Sequence, residues 1–204
     1  MTFSTLGTMA SYVPKQGVTG TVDLSTATVV KGAGMDLITP TSVAGSGVTL
    51  SGGKITFTAA TSVSVNGCFT AAYDNYRIVA EGVNNPGGIV ILRLRLSGTD
   101  ASGADYNYQL LNGQVSTPAT GSVAAATGFD YFMVGNTTLM VAEGVIRRPN
   151  LAQTTMLTSQ GGRADYLGLI TGYHNTTTQY DGFSLIVGTG NATGTLRVYG
   201  MRNS

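Results

Sequence analysis

One histidine, His174, and one cysteine, Cys68, limit the chemistry open to this chain. A Ser-His-Asp or Cys-His relay would have to be built on His174. It stands in Gly172-Tyr-His-Asn-Thr-Thr-Thr, where a strand-like run enters a polar turn, and no Gly-x-Ser-x-Gly element supplies a nucleophile. The expectation is a turn histidine bonded to its neighbours. Cys68, between Gly67 and Phe69, reads as a small buried residue rather than a nucleophile. A lone cysteine makes no internal disulfide, and one Cys plus one His cannot complete a structural zinc site. No catalytic residue, metal centre or cofactor site is expected.

Carboxylates leave glycoside hydrolysis open on residue types alone, since it needs only two. Most of the acids sit at turns or strand starts, however: Asp74 before Asn75, Asp100 in Gly-Thr-Asp-Ala-Ser-Gly, Asp181 before Gly182. Aspartate there usually bonds the local backbone. Asp100 and Asp105, with Asn107 beyond, are a candidate pair for Ca2+ through oxygen ligands, although their spacing lacks the dense alternation of an EF-hand loop. Tyrosine is the commonest aromatic, at 10 against 6 Phe and no Trp. Tyr106 and Tyr108 alternate along one strand, and Tyr173 and Tyr180 bracket the His174 turn. Tyrosine offers an apolar face with a polar tip, so these four with His174 form the candidate surface for a partner or glycan. Strand propensity explains the same tyrosines without any ligand.

The elements that must hold these residues follow from composition and periodicity. Glycine, serine and threonine supply 74 of the 204 residues, while only 10% are charged against about 25% in an average domain. With 42% hydrophobic residues the chain is not of the disordered class. Two glutamates and three lysines are too few for a helical bundle, and a net charge of +1 gives no basic face for nucleic acid. The opening residues lack the basic start and apolar core of a signal peptide, and no run approaches the roughly 18 apolar residues of a membrane span.

From Val48 onward the pattern has a period of two. Ile55 and Phe57 share a face, as do Val63 and Val65. In Ile91-Leu-Arg-Leu-Arg-Leu, Leu92, Leu94 and Leu96 face one side and Arg93 and Arg95 the other, where an acid on a neighbouring strand or subunit is expected. Further strands are predicted over 76–83, 106–111, 129–134, 137–146, 154–158, 165–172, 182–187 and 194–200. Asn84-Asn-Pro-Gly-Gly, Asn112-Gly, Gly135-Asn, Gly161-Gly and Gly188-Thr-Gly-Asn punctuate them as turns. This reads as an all-β antiparallel two-sheet sandwich of jelly-roll type over 47–204. Residues 1–46, with sparse apolar residues among Gly and Pro, read as an extended N-terminal arm or small lobe that anchors by docking. Its contacts would come from Phe3, Leu6, Met9 and Tyr12.

Two stretches resemble a family. One is Ile38-Thr-Pro-Thr-Ser-Val-Ala-Gly-Ser-Gly-Val-Thr-Leu-Ser-Gly-Gly-Lys-Ile-Thr-Phe, continuing into Ser62-Val-Ser-Val-Asn-Gly-Cys-Phe-Thr and Tyr73-Asp-Asn-Tyr-Arg-Ile. The other is Gly172-Tyr-His-Asn-Thr-Thr-Thr-Gln-Tyr-Asp-Gly-Phe-Ser-Leu with Thr193-Gly-Thr-Leu-Arg-Val-Tyr-Gly. Both are similar to the β-rich minor tail and virion-surface proteins of tailed bacteriophages, especially those infecting actinobacteria. The resemblance implies a virion location after synthesis in the bacterial cytoplasm, other virion proteins as partners, and a homotrimer. It also implies host attachment from the tail, with Phe183 and Val198 as core positions, and it transfers no catalytic residue. A capsid decoration protein and a non-catalytic module for host cell-surface glycan are the competing expectations.

Overall fold

Alternation of apolar and polar residues produces strands throughout. In a computed structural model that describes residues 34–114 and 117–203, every regular element is a β-strand. The order begins β1 (Met35–Leu37), β2 (Ser42–Ala44), β3 (Val48–Ser51), β4 (Lys54–Ala60), β5 (Ser62–Asn66) and β6 (Asn75–Asn85). It continues with β7 (Gly88–Leu96), β8 (Thr99–Asp100), β9 (Tyr106–Gln114), β10 (Thr117–Ala126) and β11 (Phe129–Gly135). The last five are β12 (Met140–Arg147), β13 (Thr155–Arg163), β14 (Tyr166–His174), β15 (Gly182–Val187) and β16 (Asn191–Met201). Among the described residues no helix is long and apolar enough to cross a membrane.

The described strands pair antiparallel in one large sheet. One run of pairings goes β3-β4-β16-β6-β12-β13-β14-β9-β10, with β1 beside β4 on β16. A second goes β2-β5-β15-β7-β11, and β8 folds back on β7. The bridge Gly135↔Met140 joins the two. Both runs turn their alternate residues into one core. Ile78, Met140, Ile146, Leu157 and Val198 come from the first, Leu92, Leu94, Phe132, Phe183 and Leu185 from the second. Residues of the period-two stretches, Ile55, Phe57, Val63 and Val65, are buried there, as are Phe183, Val198 and Cys68. The β3–β4 hairpin closes on Gly52-Gly53, whose φ values of 54° and 81° suit the primed turns that follow strand twist.

Four local expectations are corrected. The boundary at 46/47 falls inside the sheet. Met35–Leu37 pairs with β16 and Ser42–Ala44 with β5, so residues 34–46 belong with the strands that follow. Three-residue strands are too short to show a period, which is why they read as arm. Phe3, Leu6, Met9 and Tyr12 lie outside the described residues. Asn112-Gly113 and Gly161-Gly162 are inside β9 and β13 rather than turns. Glycine serves close approach in β13: a Cβ on Gly161 would come within 2.6 Å of the Val141 carbonyl oxygen, and one on Gly162 would collide with that of Tyr166. Leu96 leaves the core side shared by Leu92 and Leu94 and is 43% exposed, because β7 ends there and turns at Ser97-Gly98. Finally, β10 was not foreseen, since Thr-Pro-Ala-Thr-Gly-Ser-Val-Ala-Ala-Ala has no alternation and is exposed along almost its whole length.

Candidate interaction surface

The five residues expected to form a partner or glycan surface do not share one. Even-numbered positions of β9 and β14 face the core, so Tyr106, Tyr108 and His174 are buried, and Tyr180 is buried beside them. Only Tyr173, at an odd position, is exposed. Register sets His174 opposite Tyr106, with ring centroids 4.2 Å apart. The Tyr106 hydroxyl accepts from the Leu94 N–H (3.0 Å) and donates to the Ala101 carbonyl (2.8 Å). It satisfies the edge of β7 beyond the point where β11 pairing stops at Leu92. Tyr108 donates to Asp130 at 2.9 Å. Burial pushes both phenols' pKa upward, with the Asp130 carboxylate adding to it at Tyr108.

His174 was expected in a turn, but it is the last residue of β14 and is buried, and its bonds go to near neighbours in sequence. Its Nδ1 lies 3.0 Å from the Thr176 hydroxyl and 3.3 Å from that of Tyr180. Burial lowers its pKa below the usual imidazole value, opposed by the Asp105 charge. Its Nε2 and the Thr155 hydroxyl across the ladder have no hydrogen-bond partner among the described residues. The Cys68 thiol is fully buried, and burial raises its pKa well above the ordinary value.

The acids are largely engaged. Arg95 meets Asp100 on the adjacent short strand β8, and the same guanidinium donates to Ser64 (3.1 Å), Ser184 (2.8 Å), Asn66 (3.0 Å) and the Gly98 carbonyl. Ser184 also donates to Asp100 at 2.8 Å. Asp100 is therefore the counter-ion of a nearly buried arginine, which leaves its carboxylate poorly placed for Ca2+. Arg93 instead donates to the Thr127 carbonyl at 2.8 Å. Glu143 pairs with Arg77 at 2.6 Å, Asp165 with Arg163 at 2.7 Å, and Asp36 with Arg202 and Tyr73. Among the described residues no three Cys, His or acidic side chains gather as a metal site.

What does stand out is the outward face of β12, β13, β14 and β9. Odd positions of β9, β12 and β14 and even positions of β13 point away from the core, and apolar side chains there share the face with Asn107, Gln109, Thr158, Gln160 and Thr171. Leu111, Val141, Met156, Leu167, Leu169 and Tyr173 are all exposed there, Leu167 at 73%. Two adjoining grooves of about 630 and 810 Å³ cross this face, sharing Leu111, Glu143, Gln160 and Leu169. Leu167 stands between Gly113 and Gly162 in register, so it projects with no side chain on either flanking strand. β9 and β10 carry no charged residue, β14 carries only the buried His174, and β13 only Arg163. Of the nearest charges, Arg77–Glu143 and Arg163–Asp165 pair with each other, while Arg147, in register with Met156, donates to the Thr158 hydroxyl at 3.3 Å.

Sequence reasoning passed over this face. In Tyr166-Leu-Gly-Leu-Ile-Thr-Gly apolar residues occupy both parities, which reads as a strand buried on both sides. The lack of any charge from Asp105 to Asp130 is the one signal that marks it. No family model matches the sequence, and no curated protein or solved structure matches it either.

Proposed function

We propose that this chain is a non-catalytic structural protein of a tailed-phage virion, associated with the tail and contributing to host attachment as a homotrimer. The observation that carries the reading is the group of exposed apolar side chains, Leu111, Val141, Leu167 and Leu169, on the outer face of β9, β12 and β14. Monomeric proteins seldom expose contiguous apolar surface of this kind, whereas components of assemblies cover it. The phage assignment itself draws on the two stretches with family resemblance. They lie far apart in sequence but pair directly, β5 with β15, and β4 and β6 with β16, so they form one structural unit.

The finer architecture in this reading is a jelly-roll sandwich whose layers are the two runs of pairings. Anchoring to other virion proteins falls to the segment before residue 34, through Phe3, Leu6, Met9 and Tyr12. The glycan-binding alternative loses support, because four of its five residues are in the interior. Quantitative mass spectrometry of purified phage particles tests the proposal. A tail component is expected far below the copy number of the major capsid protein. Near-stoichiometric abundance would reassign it to head decoration, and absence from particles would overturn the virion reading.

A further inference from the structure

We infer that residues 175–181 form a latch over one end of the core, held shut by the unprotonated ring of His174 and released when that ring takes up a proton. The inference goes beyond the virion reading above and does not depend on it.

The segment 175–181 leads from β14, in the first run of pairings, to β15, in the second, and belongs to no ladder. Bonds to three other connections and to the end of β7 hold it. The Asn175 amide donates to the Asp105 carbonyl at 2.8 Å, and the Tyr180 amide to the Pro149 carbonyl at 2.7 Å. Asn150 Nδ2 donates to the Tyr180 and Phe69 carbonyls, at 3.1 and 3.3 Å. The Asp181 amide donates to the Arg95 carbonyl and the Phe69 amide to the Asp181 carbonyl, both at 3.0 Å. Inside the latch, the Thr176 hydroxyl lies 3.0 Å from both His174 Nδ1 and the Tyr180 hydroxyl, and the Tyr180 ring stands edge-on to the imidazole.

This knot suits a neutral imidazole. A hydroxyl can donate to Nδ1 or accept from it, whichever nitrogen carries the proton. An imidazolium carries a hydrogen on both nitrogens, and Nε2 has no acceptor among the described residues; the Thr155 hydroxyl, opposite in register, does not bond it. The ring is buried, so the charge would also be stripped of water. Among the described residues Asp105, half-buried on the loop before β9, is the charge that acts on the ring, and burial outweighs it. The other titratable groups packed on the ring are the phenols of Tyr106 and Tyr180. On the bonded connections, Arg148 engages Gln153 and Asp181 accepts from the Ser97 amide. Beyond Tyr106, Arg93 engages Thr127 and Asp100 engages Arg95. His174 ends β14, so the ring reaches water when the last ladder pair frays, and 175–181 leaves with it.

Hydrogen exchange of the full-length protein tests the latch, read by mass spectrometry between about pH 5 and 8 and corrected for intrinsic rates. The amides of 175–181 are expected to be less protected than those of β12 and β16 at every pH. They should lose protection by up to about tenfold per pH unit below about pH 6.5. Protection equal to that of β12 and β16 would mean that the segment opens only with the whole fold, and a missing acid loss would mean that the ring does not hold it. Either result overturns the inference. His174→Asn is expected to abolish the acid loss. Tyr180→Phe keeps the buried ring and removes one hydroxyl from the knot, so it should lower protection of 175–181 about three- to tenfold near neutral pH and leave the acid slope in place. A slope that survives in His174→Asn, or a latch unmoved by Tyr180→Phe, would also overturn it.

Discussion

Tyr106→Phe isolates one hydroxyl at a structural junction. The ring is fully buried, set edge-on to Phe129 at 4.9 Å, and phenylalanine keeps that packing. What disappears is the oxygen that accepts from Leu94 N–H and donates to the Ala101 carbonyl. Leu94 is fully buried, so its amide is left without a partner, a loss of about 1–3 kcal/mol. Ala101 is half-buried and water can replace its bond, adding about 0.5–1 kcal/mol. The sum is about 1.5–4 kcal/mol. For a domain of this size that is a fall in Tm of about 3–16 °C. Urea denaturation at one fixed protein concentration measures it, with the m-value expected to stay constant. Tyr173→Phe on the exposed face is the control, expected within about 0.5 kcal/mol of wild type. If Tyr106→Phe matched that control, the hydroxyl would not be sealing the β7 edge, and the account of how β7 ends would be wrong.

Three further outcomes are expected. His174 has a pKa below its unfolded value of 6.5, so the unfolded chain takes up a proton that the native state refuses. Stability should hold above about pH 7 and fall as pH drops below about 6.5, by at most about 1.4 kcal/mol per pH unit. Replacing His174, the only histidine, with Asn should flatten that slope between about pH 5 and 7; a slope that persists would locate it elsewhere. Asp100→Ala leaves the Arg95 guanidinium nearly buried without its counter-ion, and about 2–4 kcal/mol of destabilisation is expected in chemical denaturation. Adding Arg95→Met should recover part of that loss, and millimolar Ca2+ should leave the wild-type melting temperature unchanged. Deleting residues 1–46 removes β1 and β2 with the Asp36–Arg202 pair, so it should lower the melting temperature clearly more than deleting residues 1–33. Equal melting temperatures would return the domain boundary to residue 46.

Much of the fold was legible because alternation is a local property. Ile55 and Phe57, Val63 and Val65, and Leu92 and Leu94 are buried for the parity reason alone, and the Asn84–Gly88 and Gly188–Asn191 turns lie where Gly, Asn and Pro cluster. Short or non-alternating strands were not legible. β1, β2 and β8 have two or three residues each, and β10 alternates nothing, so only their partners make them strands. The candidate site was misread for a related reason. Tyr106, Tyr108 and Tyr180 look the same in sequence whether their rings face the core or solvent. Tyr173 and His174 are neighbours that point to opposite faces.

By itself the sequence determined the kind of element this chain forms. One histidine and one cysteine restrict reactive constellations, and β-branched residues at period two, broken by glycine, force antiparallel strands. Tertiary structure alone decided which face of each strand is covered. A strand apolar at both parities, such as Tyr166–His174, requires two neighbours, and the sheet supplies one: the core beneath Tyr166 and Ile170. Leu167 and Leu169 are left facing outward, beside strands that carry almost no charge. That asymmetry is set by which ladders the chain closes over its core, a non-local outcome that no window of sequence contains.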